Sequence, residues 1–310
     1  MYIKQVIRNR ENWGYYLLGV LVIIPIMWVI FQIPITIALA AAAFQDEELL
    51  AKMASGDAAE MMSILEPNLN LFLMLLVYVG ILVGVFISTK LLHKNSIREL
   101  TTSRDKIDWS RFFFAFLIWG TFILFMQLSD ILIFSPDDYV WNFKPIPFLI
   151  LLVIALLILP LQTSAEEYFF RGYLMQGIGV ITGNRWVPLF FTSIAFGLVH
   201  YANPEVDKLG YAIFAIYIGS SFVYGITTLM DEGMELSLGM HAANNVIIAL
   251  LATADWTAIQ SHSLYKNVAE PTIINFSEIL PGFIFYFIIL YIFSKKYGWS
   301  NWQGKLFGKI

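Results

Sequence analysis

Stretches of about 20 apolar residues recur from near the N terminus of this chain to near its C terminus, and that recurrence restricts the fold more than any motif does. A helix crossing a bilayer needs roughly 20 predominantly apolar residues, because its backbone N–H and C=O groups must pair within the segment. Eight segments meet the requirement: residues 14–44, 69–89, 112–128, 146–178, 187–207, 209–230, 234–255 and 274–294. A content of 58% hydrophobic against 14% charged residues agrees, since a soluble core of this size would carry more charge. The expected fold is all-α, a polytopic bundle of about eight transmembrane helices forming one integral membrane domain over residues 1–310.

The first segment is overlong and carries Pro25 and Pro34, so it should tilt or kink. Its alanine-rich end, residues 38–43, follows the basic Lys4, Arg8 and Arg10 and faintly resembles a cleavage site. The apolar run is about twice a signal-peptide core, however, so it is expected to be retained. With the N terminus in the cytoplasm, fifteen of the 19 Lys and Arg residues fall inside and only Lys52, Lys144, Lys208 and Lys266 outside. This asymmetry supports eight spans with both termini cytoplasmic. The loop at residues 45–68 is then acidic and external. The basic loop at 90–111 is internal, where it would lie against anionic membrane lipids. A net charge of −4 gives no sign of a nucleic-acid partner, and the lack of cysteine excludes disulfides, thiolate metal sites and a cysteine nucleophile.

Against this apolar background the run Glu166-Glu167-Tyr168-Phe169-Phe170-Arg171 stands out, as do His200 and His241 within apolar segments. Ionisable groups at membrane depth are costly and face the bundle interior or a wet cavity. On a helix Glu166 and Glu167 point about 100° apart, whereas Glu167 and Arg171 share a face and can pair, leaving Glu166 free. Phe196 lies four residues before His200, placed to pack on the imidazole. His241 and Asn245 likewise share a face, and both can donate hydrogen bonds to a developing oxyanion. Bland readings exist for each: a hydrated ionic cluster at a helix end, a neutral histidine bonded to its neighbour, and an interhelical amide contact, for which Asn244 also qualifies.

Depth decides whether these groups meet. If the fourth helix ended at Glu167, His200 on the next helix would lie ~18 Å deeper than Glu166. If it runs on to about residue 178, tilted or kinked near Pro160, then Glu166, His200, His241 and Asn245 reach one level. A carboxylate, two histidines and an asparagine converging in a dry bundle suit hydrolysis by an activated water, with no nucleophilic side chain required.

The succession Glu166-Glu167 with Arg171, Phe196 with His200, and His241 with Asn245 resembles the EExxxR, FxxxH and HxxxN/D motifs of the CPBP (Abi) family. That family holds the type II CAAX prenyl endopeptidases and their bacterial relatives, among them bacteriocin-immunity proteins. The resemblance covers residues 147–251, which would be the catalytic core. It implies an intramembrane glutamic endopeptidase of a bacterial plasma membrane, acting on a membrane-associated peptide or protein that is a prenylated CAAX tail in the eukaryotic branch. Carried over, Glu166 with His200 activates water, His241 with Asn245 forms the oxyanion site, and Glu167 with Arg171 holds the helix. No cofactor is implied. The runner-up is a zinc ion on Glu166, His200 and His241, a reasonable ligand set that lacks an HExxH motif. A catalytically silent immunity or binding protein, and a proton-coupled transporter, are the competing functions.

Overall fold

The computed structural model describes residues 2–8, 13–44 and 46–310. Arg10 and Gln45 of the expectations above fall outside these residues. Among the described residues, six helices are long and apolar enough to cross a membrane: α1 (Trp13–Ala43), α2 (Pro67–Leu91), α3 (Trp109–Phe134), α4 (Pro145–Thr182), α6 (Tyr211–Asp231) and α8 (Phe276–Tyr297). Two shorter apolar helices, α5 (Trp186–Ala202) and α7 (Glu235–Leu251), complete the bundle. The eight expected segments are therefore all helical, but two of them are too short to count as full spans by length.

The differences at helix ends have local causes. Helix α5 stops short of residue 207 because Asn203 is extended (φ −71°, ψ 135°) ahead of Pro204, which opens the short helix Pro204–Leu209. Helix α7 stops at Leu251 because Ala252–Thr253 (β2) pairs in parallel with Tyr265–Asn267 (β3). Strand β3 also pairs antiparallel with Tyr139–Trp141 (β1), giving a small sheet of order β1-β3-β2 at one end of the bundle.

Close helix approach depends on glycine in two places. Gly80 and Gly84, one turn apart on α2, face α1, and a Cβ on Gly84 would stand 2.8 Å from the Ile24 Cα. A Cβ on Gly239 of α7 would lie 2.2 Å from the Phe112 carbonyl oxygen of α3. Small residues at such crossings let two backbones touch, which is the main source of packing energy between helices in lipid.

Helix α4 carries the first candidate motif and is wound in three ways. Pro145–Leu157 is α-helical, and the ladder is interrupted at Ile158, two residues before Pro160, whose missing N–H removes a rung. The helix resumes as Leu159–Glu167, widens into a π-helical segment at Tyr168–Leu174, and closes as Met175–Thr182. The extra residue per turn shifts the helical face beyond Leu174. Glu166 thus lies about 24 Å of helix from Thr182 and about 31 Å from Pro145, in the middle of a long tilted element.

Both described ends of the chain gather at the end of the bundle opposite the sheet. The Tyr2 hydroxyl donates to the Leu100 and Arg171 carbonyls, at 2.7 and 3.1 Å. Ile310 N–H donates to Gly183 at 3.0 Å. There Arg104 reaches Asp231 at 2.9 Å and Glu235 at 2.7 Å, and the Trp299 indole donates to Asp231 at 3.1 Å. Partial burial works against the Arg104 charge, but Glu235 and Asp231 outweigh it and hold its pKa above the usual value.

Candidate active site

The motif residues on α4 and α7 interlock through one imidazole. Glu167 is fully buried and its Oε1 accepts from the Arg171 guanidinium at 2.7 Å and from His241 Nδ1 at 2.9 Å. The other imidazole nitrogen, Nε2, stands 3.3 Å from Glu166 Oε2. His241 therefore sits between two adjacent carboxylates. One of them, Glu167, is sealed behind it, whereas Glu166 keeps 12% of its side chain open to a cavity. Since Glu167 is ion-paired with Arg171, it accepts the Nδ1 proton, which directs Nε2 toward Glu166.

Both terminal nitrogens of Arg171 are engaged. Its second terminal nitrogen donates to the Ser221 carbonyl at 3.2 Å and to the Ser221 hydroxyl at 2.5 Å. Its guanidinium carbon lies 4.5 Å from the centre of the Phe196 ring. That ring is the apolar member of the second motif, and it also meets the His241 ring edge-on at 5.8 Å and the His200 ring at 4.9 Å. Phe196 is thus a shared wall between the arginine and both histidines, a wider role than packing on His200 alone.

His200 lies at the end of α5, where the winding tightens to 3-10 over Val199–Ala202. Its Nδ1 is 2.8 Å from the Phe196 carbonyl oxygen, so Nδ1 carries the proton and Nε2 is left as an acceptor in the neutral ring. The ring stacks on Tyr217 at 4.3 Å with an interplanar angle of 22°. Tyr217 in turn donates to Glu205 at 2.9 Å. Two turns along α6 from Tyr217, Tyr224 stacks on His241 at 5.0 Å and 19°. Asn245 donates to Gln162 Oε1 at 3.1 Å and accepts from Asn244 at 3.2 Å.

Glu166, His200, His241 and Asn245 all line one cavity of about 1370 Å³. Its far wall is formed by the end of the molecule that carries the sheet, through Met62, Asn70 and Ile259. The structure brings together Glu166, Glu167, Arg171 and His241 by direct contact, and places His200 and Asn245 on the same cavity without a direct contact to Glu166. Among the described residues no group of three His, Asp or Glu side chains is disposed to hold a metal. Sequence reasoning missed Gln162, Tyr217, Tyr224 and Ser221. Gln162 had a signal, being a polar residue one turn before Glu166; the tyrosines had none, because they belong to a different helix.

Residues 145–247 match the family model of the Rce1-like type II CAAX prenyl endopeptidases. Over this stretch the chain belongs to that family. It is a family of CAAX-type membrane proteases, and the matched stretch runs from the start of α4 to the last turns of α7, enclosing every motif residue above. Uncharacterized protein YyaK of Bacillus subtilis (strain 168) is 34% identical over 207 residues, 66% of this chain and 66% of that protein's length. No solved structure matches the chain significantly. The Rce1-like domain is thus embedded in a multi-pass membrane protein.

Proposed function

We propose that this chain is an intramembrane glutamic endopeptidase that hydrolyses a peptide bond of a membrane-associated substrate, with both termini in the cytoplasm and residues 147–251 as the catalytic core. The observation that carries the reading is His241 set between a sealed carboxylate and a cavity-facing one, at 2.9 and 3.3 Å. This is a carboxylate–imidazole–carboxylate relay like that of a nucleophile-activating triad, except that Glu166, not the imidazole, faces the attacking water. Glu166 takes the proton of a water in the cavity as that water attacks the carbonyl carbon. The proton passes to His241 Nε2, and the imidazolium is stabilised by Glu167 through Nδ1–H. It is then delivered to the leaving amine as the C–N bond breaks.

The remaining groups divide the work. Asn245 has a second amide N–H beyond the one given to Gln162, and it is the donor for the oxyanion. His200, with Nε2 as an acceptor, holds the attacking water from the other side of the cavity. Relative to the expectation from sequence, His241 moves from the oxyanion site to the proton relay and becomes the direct partner of Glu166. Arg171 fixes Glu167 and, through Phe196, the wall behind both histidines.

The test is cleavage of a pool of membrane peptides, including prenylated CAAX peptides, by protein purified in detergent. A positioned general base contributes roughly 10²–10⁴-fold in rate, so Glu166→Gln and His241→Ala should each lose at least 100-fold while remaining folded. Chelator should change nothing. Cleavage that survives Glu166→Gln, or that chelator abolishes and zinc restores, would overturn the mechanism.

A further inference from the structure

Two polar rungs join the helices that carry the site. Glu166 meets His241 at 3.3 Å, and four residues away on each helix Gln162 meets Asn245 at 3.1 Å. Helices α4 and α7 pack together over these turns, so the second rung lies one turn, about 6 Å, from the first. Gln162 belongs to none of the three motifs. It lines the same cavity as Glu166 and is only 6% exposed. A carboxamide buried at that depth is costly wherever one of its polar atoms lacks a partner.

Three amides there run in one direction. The Asn244 amide donates to Asn245 Oδ1 at 3.2 Å, and Asn245 Nδ2 donates to Gln162 Oε1 at 3.1 Å. The run ends at Gln162 Nε2, whose two N–H groups have no partner among the described residues. A glutamine that served only as a strut between helices would be more stable with that nitrogen paired as well. Hydrogen bonds in a chain polarise one another, which makes the terminal N–H groups stronger donors than those of an isolated amide. His241 cannot add to them, because its two ring nitrogens are engaged by Glu166 and Glu167.

We propose that Gln162 is a catalytic residue, the second donor to the oxyanion beside Asn245. This rests on the hydrolytic reading of the site given above. As the water oxygen adds to the carbonyl carbon, Glu166 takes the water's proton and the C=O π pair moves onto the carbonyl oxygen. That oxygen accepts from Gln162 Nε2 and Asn245 Nδ2 until the pair returns, the C–N bond breaks and the amine leaves with the proton relayed by His241. The spacing of the rungs suits this division of work. One hydrogen bond of about 2.9 Å joins the attacking oxygen to Glu166 and another joins the oxyanion to the amides. Together they bridge the ~6 Å between rungs when both oxygens sit on one tetrahedral carbon.

The experiment takes the full chain in detergent, the best-cut peptide of the pool above and two uncleavable copies of it. In one copy a difluoromethylene ketone, whose hydrate carries both tetrahedral oxygens, replaces the scissile bond; in the other a CH2–S link has no carbonyl oxygen. Removing one oxyanion donor costs roughly 10²–10³ in kcat, so Gln162→Met should lower kcat about 100-fold and weaken the ketone at least ~10-fold. KM and the affinity for the CH2–S copy should hold. Gln162→Glu keeps the acceptor for Asn245, and with it the packing, and should weaken the ketone as much. On an Asn245→Ala background Gln162→Met should still weaken the ketone several-fold, which a residue acting only through Asn245 would not do. A Gln162→Met enzyme as fast as the wild type, full ketone affinity in Gln162→Glu, equal loss of both copies, or no further loss on the Asn245→Ala background would overturn the inference. A pool left uncut, or cut as well by Glu166→Gln, overturns the hydrolytic reading and the inference with it. Cutting that Glu166→Gln abolishes and Gln162→Met leaves intact removes the inference alone.

Discussion

Replacing Arg171 with methionine should unfold the bundle far more readily than its isosteric size suggests. The substitution leaves Glu167, whose side chain is 0% exposed, with His241 as its remaining partner. Breaking a buried ion pair by removing one member costs roughly 3–5 kcal/mol, because the other charge stays desolvated. At about 1.4 kcal/mol per tenfold, that is a shift of roughly 100- to 4,000-fold in the unfolding equilibrium. The double variant Glu167→Gln with Arg171→Met removes the stranded charge and should recover about half of the loss. The contacts of Arg171 with Ser221 and Phe196 stay broken in both variants. Unfolding by SDS in mixed micelles, followed by tryptophan fluorescence, gives the double-mutant cycle. A single variant that loses less than about 1 kcal/mol, or a double variant no more stable than the single, would refute the claim that Glu167 is a buried anion held by Arg171.

Three further outcomes follow from particular contacts. Tyr217→Leu removes the ring under His200, and Glu205→Gln weakens the 2.9 Å bond that fixes that ring; each should lower kcat several-fold, with Tyr217→Phe keeping the stack and most of the activity. Gly84→Leu forces α2 away from Ile24, and overpacking of this kind costs about 1–3 kcal/mol, read from the same SDS titration. Glu66 caps α2 through Leu69 N–H at 2.9 Å and meets His262 at 2.7 Å. Its partial burial raises its pKa, but these partners outweigh burial and hold it below the usual carboxylate value. A depressed folded pKa means the stabilisation is present above the ordinary carboxylate pKa and is lost as pH falls through the folded value. Glu66→Gln should therefore flatten the acid limb of the stability profile.

Helix existence was legible because hydropathy alone requires it, and the long α4 was legible because its apolar residues continue past Arg171. The break at Ile158 followed from Pro160, and the early stop of α5 was written in Asn203-Pro204, although hydropathy carried the expected segment past it. The stop of α7 could not be read. It depends on β3, whose residues lie more than a dozen positions further on. The π-helical turn at Tyr168–Leu174 was equally hidden, since its one poor helix former, Gly172, does not by itself change the winding. Its winding belongs with the burial of Arg171 and Tyr173 against other helices.

The site shows the same division between depth and neighbourhood. Counted from Thr182 and Trp186, which a short turn joins, Glu166 and His200 are about 24 and 21 Å along their helices. Their levels therefore agree, and on depth alone they are natural partners. His241 is only about 9 Å from the start of α7, which would put it too shallow if α7 began at the surface. It does not, because Glu235 is fully buried and bonded to Arg104, with the segment around Thr101 laid over the helix start. The recessed start lowers His241 to the level of Glu166, and the packing of α7 against the Leu159–Glu167 turns sets it between the two carboxylates. Helix α5 packs instead on α6, so His200 arrives at the right height on the other side of the cavity. A one-dimensional pattern fixes height along each helix. Which histidine touches which carboxylate is decided by the helix each one packs against, and Arg104→Ala, which unpairs the buried Glu235 in the first turn of α7, should lower activity without touching the site.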